Sequence, residues 1–321
     1  MEEVAEMECI VNRKIVLLGL LTIASTLNCG ALDTLILRPS ALLRRLPTDF
    51  GYAYETKTVP SPTGQMISLW HVSSSVERKG IIVTVPGNDA NKSRYVVSLP
   101  LFADDGWDLI LVDYTGFGES PGEATLQGLF DSTYGAIDYA LTQSDVVVGY
   151  GISLGTGVLA RVAADRPLTA CIFESTMVLR EAASLFTRYH GVYLPIVEVA
   201  NLVATFGSPP EFDTKHWITK IHCPKLFLHS PDDGVTPYEG AWEVFKLAPQ
   251  PKHLFVTQGN HAMQVFLDPA LYRSVVNGWL DGILNHRPIV NLQFDAFLEE
   301  EIRVTFEALG LPPPEPGTFG R

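Results

Sequence analysis

Six short, unbroken apolar runs punctuate the chain: GIIVTV (80–85), WDLILVDY (107–114), VVVGYG (146–151), LTACIFE (168–174), KLFLH (225–229) and HLFVTQ (253–258). A strand wetted on one side alternates apolar and polar residues, so unbroken runs predict strands buried on both faces. Helix-like stretches fall between them, ATLQGLFDSTYGAIDYALTQ (124–143) and GTGVLARVAADRP (155–167). Strands alternating with helices predict an α/β fold, a mostly parallel sheet joined by right-handed crossovers with helices on both faces. Ahead of them, YETKTVPSPTGQMISLWHV (54–72) reads as a hairpin about Pro62-Thr63-Gly64. The chain has 321 residues, 46% of them apolar, which is ample for one large core.

The third run ends in a second constraint. Gly151-Ile152-Ser153-Leu154-Gly155 is a G-x-S-x-G pattern at the point where a buried strand turns into a helix. Glycines are needed there because a tight elbow brings backbone against backbone. The serine is left in a strained conformation near free helix N–H groups, which favour developing negative charge. A serine hydroxyl attacks a carbonyl only if a base takes its proton, and the base needs a carboxylate to fix its tautomer. After KLFLH come Asp232 and Asp233, and after HLFVTQ comes Gly259-Asn260-His261, so an acid and a base follow the next strands in the required order. An oxyanion hole would take one N–H from Leu154 and a second from the loop Pro86-Gly87-Asn88-Asp89-Ala90-Asn91 after the first run.

With these residues in place, the chain from about 50 to 285 resembles the α/β-hydrolase superfamily. Within it, the chain is similar to the serine-aminopeptidase-like branch with a small lid, which includes esterases and acyl-thioesterases. His229, Asp233 and Pro237 match that branch's H-G-x-x-D-x-x-V-P segment, which selects Asp233 over Asp232; Ser230 and Thr236 depart from it. The branch's His-Gly-Asn is Pro86-Gly87-Asn88 here, so the resemblance implies the Asn88 N–H as the second oxyanion donor. DYTGFGESPG (113–122) resembles the family's D-x-R-G-x-G-x-S, with Thr115 in place of Arg and Asp113 expected to be structural. The resemblance implies a serine hydrolase acting on a carboxylic ester, thioester or amide through Ser153, His261 and Asp233. The other reading is a non-catalytic binding protein of the same fold. Neither implies a metal or organic cofactor.

Charge and cysteines narrow the partners. A net charge of −13 argues against binding nucleic acid, leaving a small-molecule or acylated substrate. Cys9, Cys29, Cys171 and Cys223 form no CxxC pair, so neither a zinc site nor a disulfide framework is expected; Cys171 and Cys223 read as small buried residues. IVLLGLLTIASTL (15–27) follows Arg13-Lys14, as in a signal peptide or a marginal anchor. The acidic start (Glu2, Glu3, Glu6 and Glu8) departs from that pattern, and a start at Met7 would remove most of it. Asn28-Cys29 is only partly like a lipoprotein cleavage site. Export or membrane association is therefore expected, with a cytoplasmic protein carrying a packed helix as the alternative. The expected layout is a leader or anchor over 1–31, a linker over 32–52 and the hydrolase domain over 53–290. Within that domain, an apolar insertion forms a lid at about 176–217. A C-terminal helix and a disordered tail ending in PPPEPGTFGR are expected over 291–321.

Overall fold

The computed structural model describes residue 33 and residues 37–88, 91–178 and 212–287. The apolar segment 15–27, Cys29, most of the expected lid (179–211) and the tail lie outside the described residues.

Each apolar run forms the strand it predicts. The strands are β1 (Tyr54–Pro60), β2 (Met66–Val72), β3 (Gly80–Val85), β4 (Trp107–Val112), β5 (Val147–Ile152), β6 (Ala170–Glu174), β7 (Lys225–His229) and β8 (Lys252–Val256). They form one sheet in the order β1-β2-β4-β3-β5-β6-β7-β8. The predicted hairpin is there, with Tyr54 opposite Val72 and Pro60 opposite Met66, and β2 runs antiparallel to β4. Every pair from β4 to β8 is parallel.

Period-two geometry sends neighbouring residues of one strand into opposite cores. Ile81, Val83 and Val85 face one core and Ile82 the other; on β4, Ile110 and Val112 oppose Leu109 and Leu111. The first core is covered by helices α1 (Leu126–Gln143), α2 (Leu154–Ala163), α3 (Thr214–Ile218) and α4 (Tyr238–Leu247). The second is covered by the short turn Leu99–Phe102 and by α5 (Pro269–Leu284). Local signals set the helix starts. The Thr125 hydroxyl accepts from the Gly128 N–H at 2.9 Å, and the Asp268 carboxylate accepts from the Leu271 N–H at 2.9 Å just before Pro269.

The strand order reverses at β3. From there the chain crosses to β4 on one side, and β5 returns on the other. Loops leaving the carboxyl ends of β3 and β5 therefore diverge and open a crevice, which is where open α/β sheets bind ligands. Residues 37–46, expected to act as a linker, run against the loop that leaves β3. The Arg38 N–H donates to the Asn88 carbonyl at 3.1 Å, and Asn91 Nδ2 donates to the Ser40 and Leu42 carbonyls at 2.9 Å each.

Candidate active site

Ser153 is the residue between β5 and α2, at φ 55° and ψ −122°. That backbone is strained for any side chain, by roughly 1–3 kcal/mol, and persists only where its surroundings enforce it. The two glycines of the motif show what enforces it. A Cβ on Gly155 would overlap the Val85 carbonyl oxygen and lie 2.6 Å from that of Pro86. A Cβ on Gly151 would lie 2.8 Å from the Gly155 carbonyl and 3.0 Å from the Thr156 Cα. Helix α2 thus leaves the elbow pressed against the end of β3, with the Ser153 side chain half-buried and not engaged in capping. Gly155→Ala should push α2 off β3 and move Ser153 with it; a displacement of about 1 Å costs roughly a hundredfold in kcat where the displaced side chain takes part in the chemistry, and that is the loss expected here. Turnover of a short-chain ester, with circular dichroism to confirm folding, measures it; activity within threefold of the parent would mean the elbow has slack.

Register places the remaining groups on the same edge. Ile152 pairs with Glu174, Glu174 with Leu228, and His229 with Val256, so the loops after β5, β6, β7 and β8 leave side by side. The Ser153 N–H donates to the Glu174 carbonyl at 3.0 Å, and the Ala262 N–H to the Ser175 hydroxyl at 3.0 Å. The loop carrying His261 is therefore tied to the loop after β6, whose strand is the immediate neighbour of the one bearing Ser153.

Asp233 and His261 meet directly. His261 Nδ1 lies 3.0 Å from Oδ1 and 2.9 Å from Oδ2 of Asp233, whose side chain is fully buried while the imidazole is partly exposed. The carboxylate also accepts from the N–H groups of Val235 and Thr236 at 2.9 and 2.8 Å, and from the Thr236 hydroxyl at 2.8 Å. Burial pushes the Asp233 carboxyl up, but the hydrogen bond and charge of His261, with the Thr236 N–H, overcome it and hold the group well below the usual carboxylate range. An ionised Asp233 accepts a hydrogen bond from Nδ1–H and so keeps the proton on that nitrogen, which leaves the Nε2 lone pair free. Asp232 is exposed, and its side chain takes no part in this arrangement.

The loop after β3 closes the site from the other side. Gly87 sits with its would-be Cβ 3.5 Å from the Ser153 Cβ, so the peptide leading into Asn88 passes beside the serine. The departure at Pro86 is absorbed locally. Its carbonyl accepts from the Tyr114 hydroxyl at 2.7 Å, and the Gly87 N–H donates to the Tyr95 hydroxyl at 2.8 Å. Leu154 opens α2, so its N–H has no carbonyl one turn back within the helix. Among the described residues, no cluster of three or more His, Cys, Asp or Glu side chains is placed to hold a metal ion.

With this geometry, the chain can be set against known proteins. No protein-family model matches it. It is 27% identical over 223 residues to the uncharacterized protein YfhR of Salmonella typhimurium, which covers 64% of this chain and 74% of that one. It is 29% identical over 197 residues to the lysophosphatidylserine lipase ABHD12 of Danio rerio, over 58% of this chain and about half (51%) of that one. Among solved structures, an esterase of Pyrococcus furiosus superposes on 77% of this chain and 97% of its own, with a TM-score of 0.63 at 14% identity. An esterase of Thermogutta terrifontis covers 71% of this chain and 99% of its own, with a TM-score of 0.52 at 19% identity. The chain has the α/β-hydrolase fold.

Within that α/β-hydrolase fold, three groups at the site edge escaped sequence reasoning. Thr236, a departure from the branch's motif, donates its hydroxyl to the Asp233 carboxylate. Glu174 ends β6 fully buried and accepts hydrogen bonds from the hydroxyls of Tyr150 and Tyr272; burial pushes its carboxyl up. The available signal was a lone acid closing the apolar run LTACIFE. Lys92 is fully buried, and its ammonium lies 2.9 Å from Asp113 and 2.7 Å from Glu119. No local pattern marks it, because a lysine in a loop reads as solvated. His229 is also buried. It accepts from the Thr176 N–H through Nδ1 and donates from Nε2 to the Thr236 carbonyl, each at 3.0 Å, so it braces the acid loop as a neutral imidazole. Burial lowers its pKa, in keeping with that form.

Proposed function

We propose that this chain is a serine hydrolase that works through an acyl-enzyme. Ser153 Oγ attacks the carbonyl carbon of a carboxylic ester or thioester, and His261 Nε2 takes the hydroxyl proton. Asp233 holds the Nδ1–H tautomer and stabilises the imidazolium that forms. The N–H groups of Leu154 and Asn88 receive the oxyanion. His261 then returns the proton to the leaving group, and a water activated by the same imidazole releases the acid. The observation that carries this reading is the Asp233–His261 pair on the same sheet edge as a serine held at φ 55°.

Amide substrates would use the same machinery. Two things tilt the reading towards lipid-like esters: the apolar insertion in the sequence after Glu174, and the relative whose name describes a lysophosphatidylserine lipase. We also propose export or membrane association through residues 15–27. No helix among the described residues is long and apolar enough to cross a membrane, and that segment lies outside them.

A fluorophosphonate probe tests the central claim. Purified protein should be labelled at Ser153, because a base-activated serine beside oxyanion donors is what such a probe traps. Ser153→Ala should abolish the labelling. A folded, monodisperse wild-type sample that stays unlabelled would favour the non-catalytic binding protein.

A further inference from the structure

We propose that Cys171 and Cys223 are a disulfide-forming pair whose oxidation cross-links the amino-terminal edge of β6 to the chain entering β7. Read from the sequence alone, these were two unrelated buried residues 52 positions apart. The fold brings their sulphurs to 3.6 Å.

The backbone sets up this approach. The Cys171 N–H donates to the Pro224 carbonyl at 2.9 Å, and Cys171 pairs with Lys225 in the parallel register. Cys223 lies in the bend just before β7, outside the regular strand, where its side chain can turn without breaking a ladder bond. Closing from 3.6 Å to a bond of about 2.05 Å takes a movement of roughly 1.5 Å, within reach of a side-chain rotation.

The two thiols differ in the way a nucleophile and its resolving partner should. Cys223 is only partly buried, while Cys171 is fully buried. The hydrogen bond from the Cys171 thiol, aided by the charge of Lys225, holds the Cys223 thiol below its ordinary value against the effect of burial. Burial pushes Cys171 up. The Lys225 ammonium is fixed beside them, donating to the Cys223 carbonyl at 2.7 Å and to that of Ile221 at 2.9 Å.

A small disulfide such as oxidised glutathione supplies the chemistry. The Cys223 thiolate attacks one of its sulphurs, forming a mixed disulfide and expelling one glutathione thiolate. Cys171 then gives up its proton and attacks Cys223 Sγ, expelling the second. Two protein thiols are oxidised, one glutathione disulfide is reduced to two thiols, and the two protons pass to the leaving thiolates.

The bond would close a loop that contains the insertion after β6. It lies at the opposite end of the sheet from Ser153, so turnover should be untouched. This separates the inference from the hydrolase reading.

The test uses the full chain carrying Cys9→Ser and Cys29→Ser, so that only the pair remains. After incubation with oxidised glutathione and removal of excess, both thiols should resist alkylation in denaturant. The protein should be two hydrogens lighter with no glutathione attached, and its unfolding midpoint should rise by roughly 5–10 °C. Adding Cys171→Ser should trap glutathione on Cys223. The proposal falls if both thiols remain alkylatable after oxidation. It also falls if the parent protein stops at a stable Cys223 glutathione adduct.

Discussion

Asp233→Asn is expected to lower kcat on a short-chain ester by on the order of a thousandfold to ten-thousandfold while leaving the chain folded. The amide oxygen can still accept from the Val235 and Thr236 N–H groups, which now bond to Oδ1 at 2.9 and 2.8 Å, so the acid loop keeps its shape. The amide nitrogen must then face His261 Nδ1 and the Thr236 hydroxyl, where Oδ2 now sits at 2.9 and 2.8 Å. A donor there forces the imidazole into the tautomer that carries its proton on Nε2, and that nitrogen can no longer take a proton from Ser153. Asp232→Asn is the control. Asp232 is exposed, and the carboxylate that hydrogen-bonds His261 is that of Asp233, so the Asp232→Asn rate should stay within about twofold of the parent. Steady-state kinetics on the two variants decides the matter, and equal losses, or the larger loss at Asp232, would overturn the assignment of the acid.

The strands were legible as apolar runs, and two helices, 124–143 and 155–167, as the stretches between them, whereas α3, α4 and α5 were not singled out in the sequence. Unbroken runs such as GIIVTV and WDLILV are buried on both faces and became the central parallel strands; the alternating 54–72 stretch became the edge hairpin. The placement of Ser153 and His261 just past strand ends was legible because glycine punctuation marks where a strand ends and a loop starts. The choice of Asp233 over Asp232 came from a resemblance, and the structure supplies its physical side: one carboxylate is buried against His261 and the other points to water. What could not be read are contacts that join distant loops. Asn91 reaching back to the carbonyls of Ser40 and Leu42 turns a stretch expected as a linker into a brace on the loop after β3. Cys171 and Cys223, Glu174 with Tyr272, and Lys92 with Asp113 likewise depend on topology rather than on local pattern.

Lys92→Met is expected to destabilise the protein by about 3–5 kcal/mol, the usual result of leaving one member of a buried ion pair behind. Methionine preserves the volume and apolar stem of the side chain, which isolates the charge. The ammonium lies 2.9 Å from the Asp113 carboxylate and 2.7 Å from that of Glu119, donates to the Ser68 hydroxyl at 2.6 Å, and sits 4.9 Å from the centre of the Trp70 ring. Lys92 and Asp113 are both fully buried, so water cannot replace either partner. Asp113 is fixed from several sides. It accepts from the N–H groups of Lys92 and Glu119 at 2.8 Å each, and a Cβ on Gly118 would overlap its carboxylate, so it cannot swing out to solvent. Burial already pushes the Asp113 carboxyl up while the Lys92 charge pulls it down; without that charge it rises further. A carboxyl with a raised folded pKa binds more protons in the native state than in the unfolded one, so stability increases as pH falls through that raised value towards the ordinary carboxylate range. The penalty in Lys92→Met should accordingly be greatest near neutrality and shrink on acidification. Adding Asp113→Asn removes the stranded charge, so the double variant should recover at least about 1 kcal/mol at neutral pH and lose the extra pH dependence. Urea unfolding of the parent, the single variant and the double variant at neutral and mildly acidic pH measures all of this. A single variant within about 1 kcal/mol of the parent at neutral pH would mean that Asp113 is neutral in the native protein and that Lys92 is paired with Glu119 instead.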